Sequence, residues 1–422
     1  MRNLKSIQRS TIQFPEGRIP LAATTWDTAS DALICASVLE PQETSGVIEL
    51  RRIKYYPVKD EPHQVIASWD APSPSSEAPV DSILDLHYFS DTAVTCLILA
   101  GGDIVIVREE PLPGEELLEI VGSVDAGISA VAWSPDEELL TICTKADTML
   151  FMSREFENIA DVVLSAEDVQ ASNHVSVGWG KVETQFKGKR AKALRDPTMP
   201  EKVDRGLLSK HDDGRTRISW RGDGEYVAVN SIEGGTRRMI RIYSREGTLD
   251  SVSEPVDYLE GPLSWRPAGN IIAGVRRFEG NTEIVFFERN GLRHGEFSLR
   301  LNQSNSDERG SVIIDLSWNI DSTVLAVQFQ DRVQFWTMGN YHYYLKQEIP
   351  AQLRGICWHP EKSLRFAGHG HGELVYCTLQ DHLNINDSLD TIILTDFAFV
   401  VAKGPTAAPN DFGTIAVIDG SM

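Results

Sequence analysis

Two stretches carry residues whose types and spacing could do chemistry. In His369-Gly-His371-Gly-Glu373, two imidazoles lie at i and i+2. In a strand they would share a face, close enough to hold one metal ion. No third ligand is evident, however, and the glycines suit the positive φ of a hairpin turn between two strands, so a turn is the stronger expectation. The second stretch is basic. Lys181, Lys187, Lys189, Arg190, Lys192 and Arg195 bring six positive charges into fifteen residues against Glu183 alone, with Phe186 interleaved as one stacking surface. Three readings stay open for it: a solvated loop that binds nothing, docking onto an acidic partner, or contact with RNA phosphate. Elsewhere there is no GxSxG, HExxH, GxxxxGK[ST] or Rossmann glycine pattern. With 61 acidic residues, paired carboxylates somewhere are inevitable, so a hydrolase rests on nothing specific. The expectation is no enzyme, no catalytic residue, no metal and no cofactor.

The elements that must position these stretches are written as a repeat. Ala130-Val-Ala-Trp-Ser-Pro-Asp136, then Leu139-Leu-Thr-Ile-Cys143, reads as a strand ending in tryptophan, a tight turn and a second strand. The phrase returns at Trp220, Trp265, Trp318 and Trp358, and upstream at Trp26 and Tyr88, giving seven anchors. They lie 62, 45, 87, 45, 53 and 40 residues apart. Three of these gaps are close to the roughly 40–45 residues of one four-stranded propeller blade, and the others need insertions. A third short strand, β-branched or aromatic, is read after each pair: 104–107, 149–151, 240–243, 284–287, 333–336 and 374–376. A β-sandwich also has many short strands, but it does not demand the same aromatic at the same place in every unit. The expected fold is therefore all-β, a seven-bladed WD40-like β-propeller with the anchors as core residues between blades.

This repeat divides the chain into domains. Residues 1–385 make the propeller, with Leu4 to Phe14 expected to complete the last blade and so remove an exposed edge. An insertion occupies about 165–214, and by the geometry of blade connections it should share a face with His369–Gly372. Arg108-Glu-Glu-Pro and Gly114-Glu-Glu read as a solvated acidic turn, and 70–79 as a Pro/Ser-rich linker. Residues 386–422 either close the ring or begin a second propeller, with Phe399 as an eighth, weaker anchor; the second option is favoured, with the chain a fragment of something longer. Formal net charge is −21, which argues against general adhesion to nucleic acid or acidic membranes. Five cysteines sit in apolar strand patterns without metal or disulfide spacing, suiting reduced buried thiols and a cytosolic protein. No run approaches the roughly 20 apolar residues of a membrane helix.

Several phrases go beyond a generic propeller: Val177-Gly-Trp-Gly-Lys-Val-Glu-Thr-Gln-Phe186, Ile218-Ser-Trp-Arg-Gly-Asp-Gly224, Leu259-Glu-Gly-Pro-Leu-Ser-Trp-Arg-Pro267 and Phe286-Phe-Glu-Arg-Asn-Gly-Leu-Arg-His-Gly295. With the opening Met-Arg-Asn-Leu, they resemble, in order, the largest subunit of the Elongator complex, the IKAP family. The resemblance implies two tandem propellers followed by a helical-repeat region with a basic segment and a dimerisation region. It implies a non-catalytic scaffold in a complex that modifies wobble uridines of tRNA, its chemistry residing in a different, catalytic subunit. Other Elongator-type subunits are then the expected partners. Contact with tRNA and dimerisation would fall mainly to regions absent here, and the compartment would be the cytoplasm, with the nucleus second. Two alternatives remain: an RNA-binding module acting through 181–195, and a propeller hydrolase.

Overall fold

The computed structural model describes residues 4–13, 21–39, 46–54, 64–71, 81–165, 167–168, 204–278, 281–299, 312–370, 373–381, 397–402 and 414–419. Seven four-stranded antiparallel sheets follow one another: blades 1 to 6 span 21–70, 83–123, 128–163, 217–252, 259–298 and 313–350, and blade 7 spans 353–381. Blade 7 supplies only three strands of its own. Its outer strand is the N-terminal Leu4–Gln13, antiparallel to Glu373–Asp381 from Leu4↔Asp381 to Gln13↔Glu373. The ring is thereby closed between the N-terminal strand and the last blade, the pairing expected for Leu4 to Phe14.

Each anchor lies at or next to the end of its blade's first, innermost strand, in Leu21–Asp27, Ile83–Phe89, Ile128–Trp133, Arg217–Trp220, Leu259–Trp265, Ile313–Trp318 and Leu353–Trp358. The apolar core divides into seven clusters, one in each gap between blades, and every anchor packs into the gap with the preceding blade. Five anchors are fully buried. Trp133 and Trp358 are half-buried, covered by His87, Phe89 and Phe156 in one case and by Phe335 and Phe366 in the other.

The serine before the tryptophan has its own task. The backbone N–H of Trp265 donates to Ser219 Oγ (2.8 Å) and that of Trp318 to Ser264 Oγ (3.2 Å), while Trp358 Nε1 donates to Ser317 Oγ (2.9 Å). The Ser-Trp dipeptide is thus a latch from one blade to the next. In five blades the residue four places before the anchor is skipped in the pairing with the second strand. Such a bulge bends the inner strand where the ring narrows.

Strand direction sorts the turns. Turns between first and second strands, and between third and fourth, lie with the anchors on one face, here the anchor face. Turns between second and third strands and the connections between blades lie on the opposite face. The third strand of blade 1, Val47–Lys54, and a fourth strand in every blade complete the sheets. Past the ring, Phe397–Ala402 pairs with Thr414–Asp419 in a separate two-stranded sheet, which takes no part in closing blade 7. The Pro/Ser-rich linker lies almost wholly outside the described residues.

Candidate functional site

The basic residues Lys181, Lys187, Lys189, Arg190, Lys192 and Arg195 lie outside the described residues, but the two ends of their insertion do not. On the N-terminal side, the fully buried Arg241 side chain receives them. Its Nε donates to Asp168 Oδ2 (2.9 Å), Nη1 to Ser231 Oγ (2.9 Å) and Nη2 to the Ser165 carbonyl (3.1 Å), and Glu233 completes the pairing. A guanidinium removed from water needs its N–H groups matched in this way.

On the C-terminal side the chain re-enters through a nest of backbone donors. Asp257 Oδ1 accepts the N–H groups of Arg205 (2.8 Å), Gly206 (2.8 Å) and Leu207 (3.0 Å). Three successive N–H groups converge on one oxygen because Gly206 has φ +80°, a left-handed conformation costly for a residue with Cβ. Just before it, Asp204 accepts from Arg293 (3.0 Å). Just after it, Ser209 donates to Glu260 (2.8 Å), which also pairs with Arg277 (3.2 Å). Burial first of all pushes the Glu260 carboxyl up, opposed by Arg277 and the Ser209 bond. Arg238 then takes Asp212 (2.7 Å) and Asp213 (3.3 Å). The insertion is therefore mounted at both ends on blades 4 and 5, on the face opposite the anchors. Arg205, Lys210 and Arg215 are exposed in its C-terminal flank, and none is paired with a described residue. Sequence reasoning missed the mount because Arg238, Arg241, Asp257 and Glu260 look like surface charges. The one available hint was Arg241 inside the apolar third strand Ile240-Arg-Ile-Tyr243.

The histidine cluster resolves differently from expectation. His369 is not in the turn; it belongs to the strand Arg365–Gly370 and is buried. Its Nδ1 lies 3.0 Å from Thr24 Oγ1 of blade 1, and a Cβ on Gly355 would come 2.6 Å from its ring. Burial lowers its pKa to about 4. His371 lies outside the described residues, and among the described residues no group of three or more His, Cys, Asp and Glu is placed to hold a metal. Glu109, read as part of a solvated acidic turn, instead takes both ends of the Arg52 guanidinium (2.7 and 2.6 Å), and Arg52 also donates to the anchor Tyr88 (2.9 Å). All five cysteines are free, four of them buried.

The comparisons with known proteins agree with this architecture. A family model described as the ELP1 first N-terminal beta-propeller matches residues 1–361. The chain belongs to the Elongator complex protein 1 family. It is 42% identical over 414 residues to Elongator complex protein 1 of Schizosaccharomyces pombe, covering 97% of this chain and 31% of that protein. It is 37% identical to that of Saccharomyces cerevisiae (100% and 32%) and 34% identical to that of Mus musculus (80% and 24%). The chain thus spans about a third or less of the length of these family members. Among solved structures, a chain of one described as "Crystal Structure of Mitotic Checkpoint Complex" superposes with a TM-score of 0.54 at 11% identity, over 90% of this chain and 93% of that one. At that identity the likeness speaks of fold alone.

Proposed function

We propose that this chain is a non-catalytic scaffold unit of an Elongator-like assembly acting in tRNA wobble-uridine modification in the cytoplasm. In this reading, its faces and its mounted insertion are presented to other subunits, the catalytic one among them. The observation that carries the reading is the mount. Buried ion pairs, Arg241–Asp168 at one end and Arg238–Asp212 at the other, hold an insertion that contains a stretch of local charge +5, residues 181–195, in a chain of formal net charge −21. Charges further apart than about 8–10 Å are largely screened at physiological salt, so a long insertion can offer its charge to a partner without cancellation by the body. The test is co-purification of the full-length protein with its complex, with and without alanine at Lys187, Lys189, Arg190 and Lys192. The expected result is weaker association with the catalytic subunit and unchanged tRNA affinity.

A second reading, direct contact with RNA, is favoured by Arg205, Lys210 and Arg215, which are exposed in the C-terminal flank while its acidic residues Asp204, Asp212 and Asp213 are taken up by arginines of the propeller. Under it the same variant loses tRNA affinity but keeps its subunits. About five phosphate contacts would give a slope of log K against log salt near −3.5 on a single strand and −4.5 on a duplex. A variant indistinguishable from the parent in both assays would leave the insertion as a solvated loop.

A further inference from the structure

The hairpin of the last two strands of blade 6, Arg332–Gly339 and His342–Pro350, ends in an apolar tip that no described part of the chain covers. Tyr341 is 84% exposed, Met338 48%, and Ile320, in the turn between the first two strands of this blade, 46%. Strand direction puts both turns on the anchor face. Asn340 and Tyr341 both have positive φ, 50° and 63°. Asparagine visits that region readily, but a tyrosine there carries a penalty of about 1–2 kcal/mol. The tip is also firmly rooted. Two residues along, Tyr343 stacks on Phe297 (4.5 Å, 10°) and Phe286 (4.9 Å) and meets Trp318 edge-on. The packed root thus holds out an aromatic whose positive φ the two-residue turn between the paired Gly339 and His342 requires, its hydroxyl without a partner among the described residues. An exposed aromatic with apolar neighbours on such a root suits an interface anchor.

Topology indicates what could cover it. The strand Glu373–Asp381 of blade 7 runs towards the anchor face, and Asp381 pairs with Leu4 at that end. The chain therefore leaves the ring on the face of Tyr341, one blade away. The N-terminal strand beside the exit already touches blade 6, where Arg9 donates to the Pro350 carbonyl (3.0 Å). Residues 382–396 can reach at most about 50 Å, ample to carry the next element over the neighbouring blade. That element is the sheet of Phe397–Ala402 and Thr414–Asp419, in sequence Phe-Ala-Phe-Val-Val-Ala and Thr-Ile-Ala-Val-Ile-Asp. Two strands alone are marginal in water, and runs apolar at successive positions need cover on both faces. We propose that Ile320, Met338 and Tyr341 form the docking surface for the unit that begins with this sheet, an intramolecular contact fixing that unit against blade 6.

The test uses the full-length protein with the photoreactive p-benzoyl-phenylalanine in place of Tyr341, and a control carrying it in place of the exposed Glu110 on the same face. Irradiation should join position 341 to peptides from beyond residue 381 of the same copy, as a mixture of heavy- and light-isotope protein will show. Cross-links to another polypeptide or to a second copy, or a yield no higher than at Glu110, would overturn the proposal. A second measurement pairs Tyr341→Gly with Met338→Ser. Glycine accepts the left-handed conformation freely, so the propeller itself should not be weakened. Cleavage within 382–396 by a protease should nonetheless become about 5-fold faster or more. Unchanged cleavage would equally overturn the proposal.

Discussion

The seam between blades 7 and 1 and the mount on blades 4 and 5 both join segments far apart in sequence, and they do so by different physics. At the seam, backbone pairing of Leu4–Gln13 carries the join, and Trp26 Nε1 donates to the Cys357 carbonyl (3.1 Å) while the Tyr376 hydroxyl donates to that of Ile53 (3.1 Å). Charge is added at the edge. Asp31 there receives Arg365 Nη1 on both oxygens (2.8 and 2.9 Å), Lys362 (2.9 Å) and His359 Nε2 (3.3 Å). His359 Nδ1 accepts the N–H groups of Glu361 and Lys362, so its proton sits on Nε2, towards Asp31. At the mount the charges are inside. Buried ion pairs gain little net stability over an apolar filling, because desolvation offsets most of the attraction. A hydrophobic seam stabilises; a buried-charge mount fixes a position.

The comparison is broken most severely by removing the N-terminal strand. Leu4 is buried in the gap between blades 6 and 7, and without 4–13 the strand Glu373–Asp381 becomes an unpaired edge. The cooperative thermal transition should be lost and the protein should aggregate, as calorimetry and light scattering would show. A surviving sharp transition would mean that the seam is held without that strand. Next comes Arg241→Ala, which leaves Asp168 and Glu233 without their cation. A loss of about 3–5 kcal/mol in chemical denaturation is expected, larger than for Asp31→Asn at the half-exposed edge of the seam.

This difference also explains what could be read in the sequence. The second strands were legible because fully buried strands must be apolar, as in Leu139–Thr144 and Val324–Phe329. The anchors were legible because one aromatic recurs at the same place, and the closing strand because a ring of blades must not leave an exposed edge. The fourth strands were not. Asn158–Val163 and Arg293–Ser298 each have one side largely in water and carry no apolar run. Nor was the mount, since a sequence does not distinguish an arginine in solvent from Arg241 surrounded by Asp168, Glu233 and Ser231. The His369 assignment failed for a related reason. His-Gly-His-Gly favours a turn locally, but the pairing His369↔Leu374 keeps His369 within a strand that ends at Gly370, and burial beside Gly355 then holds the imidazole neutral.

The seam should also be the acid-sensitive region. His369 titrates near 4 when folded and near 6.5 when unfolded. Between those values the unfolded chain binds a proton that the folded chain does not. Stability is therefore full above about pH 6.5 and falls as pH drops towards 4, by about 3 kcal/mol in all. Burial lowers His359 too, in the same direction. Asp315, on the first strand of blade 6, is pushed up to about 6 by burial and works the opposite way over part of this range. Comparing the parent with His369→Gln isolates the term: the variant should lose less stability between pH 7 and 5. Parallel pH profiles would remove His369 from the account.

The smallest effect sharpens the contrast. Lys362 reaches Asp31 at 2.9 Å but is 45% exposed, whereas Arg365, on the same carboxylate, is 10% exposed. An ammonium still largely in water gains little from such a pair, and the contact is screened by salt. Lys362→Ala should therefore cost less than about 1 kcal/mol, shrinking further in high salt. The Asp31 carboxyl lies below its usual range, with burial opposing the shift and the bonds from Lys362 and Arg365 driving it. With Arg365 retained, it should remain depressed in the variant, which NMR titration of the carboxyl carbon can follow. If Lys362→Ala instead costs as much as Arg241→Ala, then charge at the rim of the seam is as consequential as charge buried in the mount, and the division drawn between the two regions fails.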